Sequence, residues 1–377
     1  MQQQTPTRRT LAGPIRSALV VALIYLFLVG VSSLETGIKI MGEDTQERLF
    51  STVSNPIAAL CIGVLGTILV QSSSASTSVI VGLVASGALG VDDAVPMVMG
   101  ANIGTTVTNT LVSLGHIRQS NEFRRAFAAA TVHDFFNILA VAVLLPLELA
   151  FGVISSTAEA ISERLVGSAG TEWKSPVKTW VKEPVGWLRS FWDTVGTSGN
   201  VQGVLMVLTG LVIILVALTF ITKNMRSLVV DRVERSINAM LSRGGGAMAL
   251  LLGLIITISV QSSSITTSIL VPLAGAGVIS LRNAYPVTLG ANVGTTITAL
   301  LASLAASSPE SLTVALAHTT FNVLGILLLY VIPLARHVPV LGAERLADLA
   351  VERRTLAVVY VAGIFIVVPL LGIAILG

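Results

Sequence analysis

The stretch QSSSASTSVIVGLVASG at residues 71–87 returns as QSSSITTSILVPLAGAG at residues 261–277. Each is followed at the same interval by a second signature, PMVMGANIGTTVT at 96–108 and PVTLGANVGTTIT at 286–298. Matching residues stand 190 apart without a gap, and 18 of the 40 positions from Gln71 to Thr110 are identical. A repeat this long is a duplicated structural unit, not a solenoid module. In each copy a hydroxyl-rich polar knot interrupts apolar sequence. The run Ile57 to Val70 holds 14 residues, about 21 Å of helix, too short to cross a bilayer comfortably. It ends in QSSS, and a second short apolar run follows. Two half-length helices joined by a polar break read as a re-entrant hairpin, a backbone tolerated only where protein or a water-filled cavity surrounds it.

Composition places that hairpin in a membrane. Hydrophobic residues make up 53% and charged residues 11% of the 377 residues, against a typical charged share of roughly 25%. Mean hydropathy is +0.85. So few charges cannot cover the wet surface of a soluble globule of this size. Apolar stretches at Ser17–Ser33, Ala126–Ala150, Val204–Ile221, Leu312–Pro333 and Leu356–Leu376 approach or exceed the roughly 20 residues a spanning helix requires. The first lacks a small-residue cleavage pattern and reads as a retained helix. The single Cys61 predicts neither a disulfide nor a metal framework.

The basic residues sort by position. Arg8, Arg9 and Arg16 precede the first helix, and Arg118, Arg124 and Arg125 follow a further stretch, Pro96–Leu114, that carries the GANIGTT signature near its middle. Lys223, Arg226, Arg232, Arg235 and Arg243 form a central linker. Arg336, Arg345, Arg353 and Arg354 precede the last helix. With these on the cytoplasmic side, the acidic loop of Glu43, Asp44 and Glu47 and the long segment Ser155–Asn200, with Trp173, Trp180, Trp187 and Trp192, lie outside. The net charge of +3 then follows topology and needs no nucleic acid. On this reading the hairpin 57–91 opens outward and its counterpart 247–281 opens inward. The loop residues agree: Asp92–Asp93 stand where the second copy has Arg282–Asn283. The expected fold is an all-α polytopic membrane protein of inverted repeats, each with a re-entrant helical hairpin and discontinuous helices. Residues 1–16 form a cytoplasmic tail, 17–151 the first repeat, 152–200 an extracytoplasmic loop, 201–335 the second repeat, and 336–377 a linker with an extra C-terminal helix. Such repeats meet near the membrane midplane in secondary transporters.

Gln71, Ser72, Ser73 and Ser74, with Gln261, Ser262, Ser263 and Ser264, offer oxygens to a small hard cation, while hydroxyls and the N–H groups opening the second half-helix suit an anion. Thr77 and Ser78, with Thr267 and Ser268, lie about one turn further on. These residues serve either binding or helix packing, and their recurrence at equivalent breaks favours binding. Asn102, Thr105 and Thr106, with Asn292, Thr295 and Thr296, read as cavity-lining or supporting groups, since asparagine in hydrocarbon requires partners. Gly100, Gly104, Gly290 and Gly294 allow close helix contact. A looser echo pairs HDFFN at 133–137 with HTTFN at 318–322, adding Asn137 and Asn322. His133 and His318 read as structural hydrogen-bonders. Asp134, whose counterpart is Thr319, is either a further cation ligand or a helix-end partner of Arg124 or Arg125.

No nucleophile elbow, phosphate-binding GxxxxGKS loop or HExxH motif is present, and the chain reads as no enzyme and as needing no cofactor. Internal inverted symmetry fits alternating access better than a channel.

The paired QSSS motifs with GANIGTT and GANVGTT resemble the sodium-dependent inorganic phosphate cotransporter family, type II, and RRAFAAATVHDFFNILAVAVLLPLE at 124–148 is an especially specific match. The resemblance covers about Pro56–Phe151 and Leu250–Pro333. It implies import of phosphate, mainly the divalent form, with several Na⁺ as coupling ions, and gives the two QSSS regions phosphate and sodium roles. Electrogenic members carry an acid at the position of Asp134, which implies an additional sodium site here. A short outer segment and short tails resemble a prokaryotic member, in the inner (plasma) membrane with a cytoplasmic N-terminus. The tips contain no arginine or lysine, so sodium is expected to offset the desolvation of a dianion. Two alternatives stand beside this one: a Na⁺-coupled symporter of another oxyanion or a small carboxylate, and a non-transporting membrane scaffold. The oligomeric state is not legible.

Overall fold

The computed structural model describes residues 13–42, 55–166, 176–243, 245–306 and 308–377, and from 226 to 243 only the helical path. The expected acidic loop of Glu43, Asp44 and Glu47, together with Arg8, Arg9 and Trp173, lies outside the described residues. All regular structure among the described residues is helical. Among the described residues six helical stretches are long and apolar enough to cross a membrane: Ile15–Met41, Ser120–Phe151, Gly199–Met225, Leu281–Ala305, Pro309–Val331 and Arg354–Leu376.

Helix α1, Gly13–Met41, runs beyond the apolar stretch read from sequence because Glu35 and Lys39 pair across one turn at 2.7 Å, which lets charge enter the helix without breaking it. Hairpin 1 is α2, Pro56–Val70, and α3, Ser73–Ser86. Asn55 caps α2 by accepting from the amides of Ile57 and Ala58, and Pro56 opens its first turn, as helix starts favour. The stretch Pro96–Leu114 falls on two helices, α4, Val91–Thr105, and α5, Val107–Leu114, with a jog at Thr106. Helix α6, Ser120–Phe151, closes the first repeat.

The 152–200 segment, expected as a loop, holds α7, Val153–Val166, and α8, Pro176–Thr194. Buried Glu148 starts α7 by accepting from the amides of Ile154 and Ser155. Amphipathic α8 packs Val181 and Val185 inward, leaves Trp180 and Trp187 exposed, and receives a hydrogen bond from the Tyr25 hydroxyl at the Trp180 carbonyl, 2.8 Å.

In the second half α9 runs from Gly199 to Arg243 without interruption, so the basic segment expected as a linker continues the helix. Hairpin 2 is α10, Gly246–Val260, and α11, Ser263–Gly275. Helix α12, Leu281–Ala305, is unbroken where its counterpart jogs. Helix α13, Pro309–Ile326, ends in a wide π-type turn at Leu327–Val331. Helix α14, His337–Glu352, is followed by α15, Arg354–Ala362, a second wide turn at Gly363–Val367, and α16, Val368–Leu376.

Two glycine seams hold the repeats in register. A Cβ at Gly100 would fall on the Leu60 carbonyl oxygen of α2, and a Cβ at Gly290 on the Leu250 carbonyl oxygen of α10. Leu60 and Leu250 are themselves 190 apart, so one backbone contact has been duplicated whole. Between the repeats, α1 crosses α9 antiparallel. A Cβ at Gly37 would lie 2.7 Å from the Gly203 oxygen, and one at Gly210 would lie 2.7 Å from the Gly30 oxygen. Gly30 and Gly37 match Gly203 and Gly210 at a spacing of 173. The pairing exchanges the two helices, as an inverted repeat requires.

Candidate functional site

Both hairpins turn on glutamine. Gln71 and Gln261 have φ of 55° and 56°, the only positive φ values at non-glycine positions among the described residues. A left-handed residue costs about 1–2 kcal/mol without glycine, and each side chain contributes to holding it. Gln71 Nε2 donates to the Ile68 carbonyl at 2.6 Å and Gln261 Nε2 to the Ile258 carbonyl at 2.7 Å, capping the half-helix just ended. The amide oxygens accept from Thr108 at 3.3 Å and from Thr298 at 2.8 Å. Ser72 and Ser262 then cap the second half-helices by accepting from the amides of Ala75 and Ile265. Helix ends carrying partial positive charge therefore start at both tips.

The tips meet across the repeat boundary. Ser74 Oγ donates to the Gln261 carbonyl at 3.4 Å, and Thr298 Oγ1 reaches Ser74 Oγ at 3.3 Å. Gln71, Ser72, Gln261 and Ser262 line one cavity of about 670 Å³ whose far wall is α9. Ser73, Ser74, Ser263, Thr77 and Thr267 are buried behind that surface, and Ser264 is half-buried. Thr77 and Thr267 each donate to the carbonyl four residues back, at 2.8 Å. Lys223 lines the same cavity. The expectation that no lysine stands near the tips is therefore corrected: α9 supplies one, two turns along the helical face that begins at Leu215.

The second signature forms a buried belt beside the tips. His133 Nε2 donates to Asn292 Oδ1 at 2.5 Å, Asn292 Nδ2 donates to Asn137 Oδ1 at 2.8 Å, and Asn137 Nδ2 donates to the Asn102 carbonyl at 2.8 Å. His318 Nε2 and Asn322 Nδ2 both reach Asn102 Oδ1 at 3.4 Å. Each repeat's asparagine is thus held by the other repeat's histidine, which gives both histidines a structural task. Thr105, Thr106, Thr295 and Thr296 satisfy carbonyls of their own helices, and none of them lines the cavity.

Asp134 is fully buried. Its Oδ2 accepts from Thr110 Oγ1 at 3.1 Å and from the Tyr360 hydroxyl at 2.9 Å, Oδ1 makes no hydrogen bond, and the Thr106 hydroxyl, which donates to the Ile103 carbonyl, lies beside the carboxylate. Pairing with Arg124 or Arg125 is excluded, because Arg124 pairs with Asp348 and Arg125 Nε donates to the Gly275 carbonyl at 2.8 Å. The guanidinium beside Asp348 holds that carboxyl below the usual range. Among the described residues no group of three or more histidine, cysteine, aspartate and glutamate residues is placed to hold a metal.

Four participants escaped the sequence reading. Asn109 Oδ1 accepts from Thr267 at 2.9 Å and Ser268 at 3.2 Å, linking α5 to hairpin 2. It stood out only as a polar residue whose repeat counterpart is Ala299. Thr108 and Thr298 are identical in both copies, 37 residues after each glutamine, and that recurrence was a usable signal. Tyr360 comes from a helix without a counterpart, so no repeat could point to it.

A family model described as Na⁺/Pi-cotransporter matches residues 26–167 and 213–338. The chain is similar to Sodium-dependent phosphate transport protein 2A of Rattus norvegicus, 34% identical over 96% of this chain and 68% of the relative. It is also similar to protein 2A of Ovis aries, 35% identical over 94% and 67%, and to Sodium-dependent phosphate transport protein 2B of Homo sapiens, 33% identical over 94% and 64%. No solved structure gives a significant match.

Proposed function

Because the chain belongs to the Na⁺/Pi-cotransporter family, we propose that it imports inorganic phosphate by Na⁺-coupled symport, with the paired hairpin tips as the shared binding site. The observation that carries this is the cavity onto which both tips open, Gln71 and Ser72 beside Gln261 and Ser262. Phosphate needs donors, and the first turns of α3 and α11 direct N–H groups and serine hydroxyls to one place. Sodium needs oxygens, and the carbonyls ending α2 and α10, with the glutamine and threonine side chains, supply them.

The positive-inside rule orients the repeats 17–151 and 201–335 with the N-terminus in the cytoplasm, in the plasma membrane. Leu215 to Lys223 occupy the end of the Gly199–Met225 span that leads into the basic segment. The cavity therefore opens to the cytoplasm, and the form described is inward-facing. Alternating access follows when the hairpin tips, held by the asparagine belt, move against the rigid α1–α9 crossing.

Lys223 offsets part of a dianion's charge on the cytoplasmic side, and bound sodium offsets more. If each cation raises anion affinity, the anion raises cation affinity equally. Asp134, with Thr110, Tyr360 and an oxygen that makes no hydrogen bond, forms a second oxygen cluster suited to one more Na⁺. Three Na⁺ with one divalent phosphate would move one net charge, about 2.3 kcal/mol per 100 mV.

The test is purified protein in liposomes under a Na⁺ gradient, with labelled phosphate challenged by sulfate, arsenate and succinate. Saturable uptake that requires Na⁺ and yields to phosphate is expected, and Ser73→Ala and Ser263→Ala should each reduce it at least about tenfold at unchanged protein level. Uptake driven best by succinate or sulfate would replace phosphate as the substrate. Normal kinetics in both variants would remove the tips from the site.

A further inference from the structure

A separate cavity of about 310 Å³ lies at the base of hairpin 2. Its polar wall is drawn from four elements: Gly246 opening α10, Arg282 and Asn283 in the first turn of α12, Tyr330 in the wide turn after α13, and Arg336 with the adjacent His337 where α14 begins. No carboxylate is part of that wall. Arg336 is positioned by an aromatic ring, not by an acid: Nε donates to the Tyr330 carbonyl at 2.9 Å, and the guanidinium carbon stands 5.0 Å from the Tyr330 ring centre. Tyr330 is held in turn by an edge-on contact with Tyr285 at 5.6 Å. Arg282 is exposed at the rim and forms no ion pair among the described residues. Helix α10 starts on Gly245 with no side chain accepting its first amides. Two guanidinium groups and a helix N-terminus converge on a concave surface without a counter-charge.

The geometry points to a binding site for a phosphate group, carried either by free inorganic phosphate or by the headgroup of an anionic phospholipid. The guanidinium fork matches phosphate oxygens in pairs. The Tyr330 hydroxyl, the Asn283 amide and the opening amides of α10 add donors around it. The site is distinct from the tip cavity and shares no residue with it. Its position gives it a consequence: an anion bridging α10, α12 and α14 ties the base of hairpin 2 to the C-terminal part of the chain. Hairpin 2 then moves less freely, and occupancy slows turnover. Free phosphate bound here would report the concentration on the side of the membrane where this hairpin opens, whereas a headgroup would report lipid composition.

The experiment uses purified full-length protein in nanodiscs and Na⁺-free choline buffer, so it does not depend on Na⁺-driven uptake. In phosphatidylcholine discs, labelled inorganic phosphate is titrated. In discs that also contain labelled phosphatidylglycerol, lipid retention at the protein is measured instead. Binding of one probe by wild type, weakened about tenfold in Arg282→Gln, supports the site and identifies its ligand. Arg282 is the first choice because it has no ion pair or side-chain hydrogen bond to lose among the described residues, and Arg336→Gln serves as the second variant. If wild type binds neither probe, or both variants bind as wild type does, the inference is overturned. Failure of Na⁺-driven uptake would leave this measurement standing.

Discussion

Hairpin 1 and hairpin 2 are nearly the same object at their tips and different objects one helix away. At the tips, φ agrees within a degree, and the glutamine and serine caps have the same partners at matching offsets. Behind hairpin 1, the chain jogs at Thr106, whose amide reaches back only to Ile103 at 3.2 Å. Behind hairpin 2, α12 runs straight through Thr296. The jog faces Asp134 and Tyr360, whereas Thr319, the counterpart of Asp134, returns its hydroxyl to the Ala315 carbonyl at 3.3 Å. On the proposed function, what is duplicated serves what both halves would do together, holding one substrate between two tips. What is not duplicated collects around one acid. A binding element without a twin can change state without imposing the same change on the other half.

The largest effect should come from the duplicated part. Gly100→Val and Gly290→Val each drive a branched side chain into a carbonyl oxygen of the neighbouring half-helix, and overpacking costs about 1–3 kcal/mol even where side chains can yield. Backbone cannot yield in the same way, so both variants should lose most of their monodisperse protein in detergent chromatography, to similar extents. Tolerance of one and not the other would show that the two seams are unequal despite their identical contacts.

Asp134 sharpens the contrast from the other direction. Asp134→Gly should leave phosphate uptake measurable but reduce the charge moved per phosphate by about one unit, the loss of one coupled cation. Current and labelled uptake recorded on the same vesicles give this ratio directly. Tyr360→Phe, which removes a donor to the carboxylate but keeps the ring, should shift the Na⁺ dependence without changing the ratio. An unchanged ratio in Asp134→Gly would return the acid to a structural role.

Much of this was legible in the sequence because the repeat aligned without a gap. Identical glutamines, serines and glycines at a fixed spacing identified the hairpins, the breaks and the inverted plan. The α1–α9 seam was harder to see, because GVSSLETG at 30–37 and GVLMVLTG at 203–210 share only their ends and a few residues and stand 173 apart, not 190. Helix α8 was read as loop because its charges and prolines mask an apolar face of valines four residues apart, Val177, Val181 and Val185. Lys223 was assigned to a linker, since nothing in the local sequence shows that α9 continues through it and makes it part of the wall of the cavity that the tips line. The jog at Thr106 was equally hidden: GANIGTTVT and GANVGTTIT differ only by exchanges of isoleucine and valine, so what bends one and not the other lies in Asp134 and the C-terminal helix packed behind it.

The finest test of the comparison concerns Thr108 and Thr298, identical residues in the same role. Thr298 is buried and shared: its hydroxyl lies 2.8 Å from Gln261 Oε1 and 3.3 Å from Ser74 Oγ, so it helps to join the two tips. Thr108 is half-buried and reaches only Gln71 Oε1, at 3.3 Å, beside a glutamine that is itself exposed. A buried hydrogen bond contributes about 1 kcal/mol, and its loss costs more when the abandoned partner cannot reach water. Thr298→Val should therefore lower the thermal midpoint by a few degrees, and Thr108→Val by less than half as much, in sodium-free detergent solution. On the inward-facing reading proposed above, the imbalance is confined to the tips, because hairpin 1 as a whole buries more of its residues than hairpin 2 does. If the inverted symmetry is also the symmetry of the transport cycle, stabilising the outward-facing form should exchange the two values. The same imbalance in both conditions would mean that the difference between the threonines is built into the chain and does not move with the hairpins.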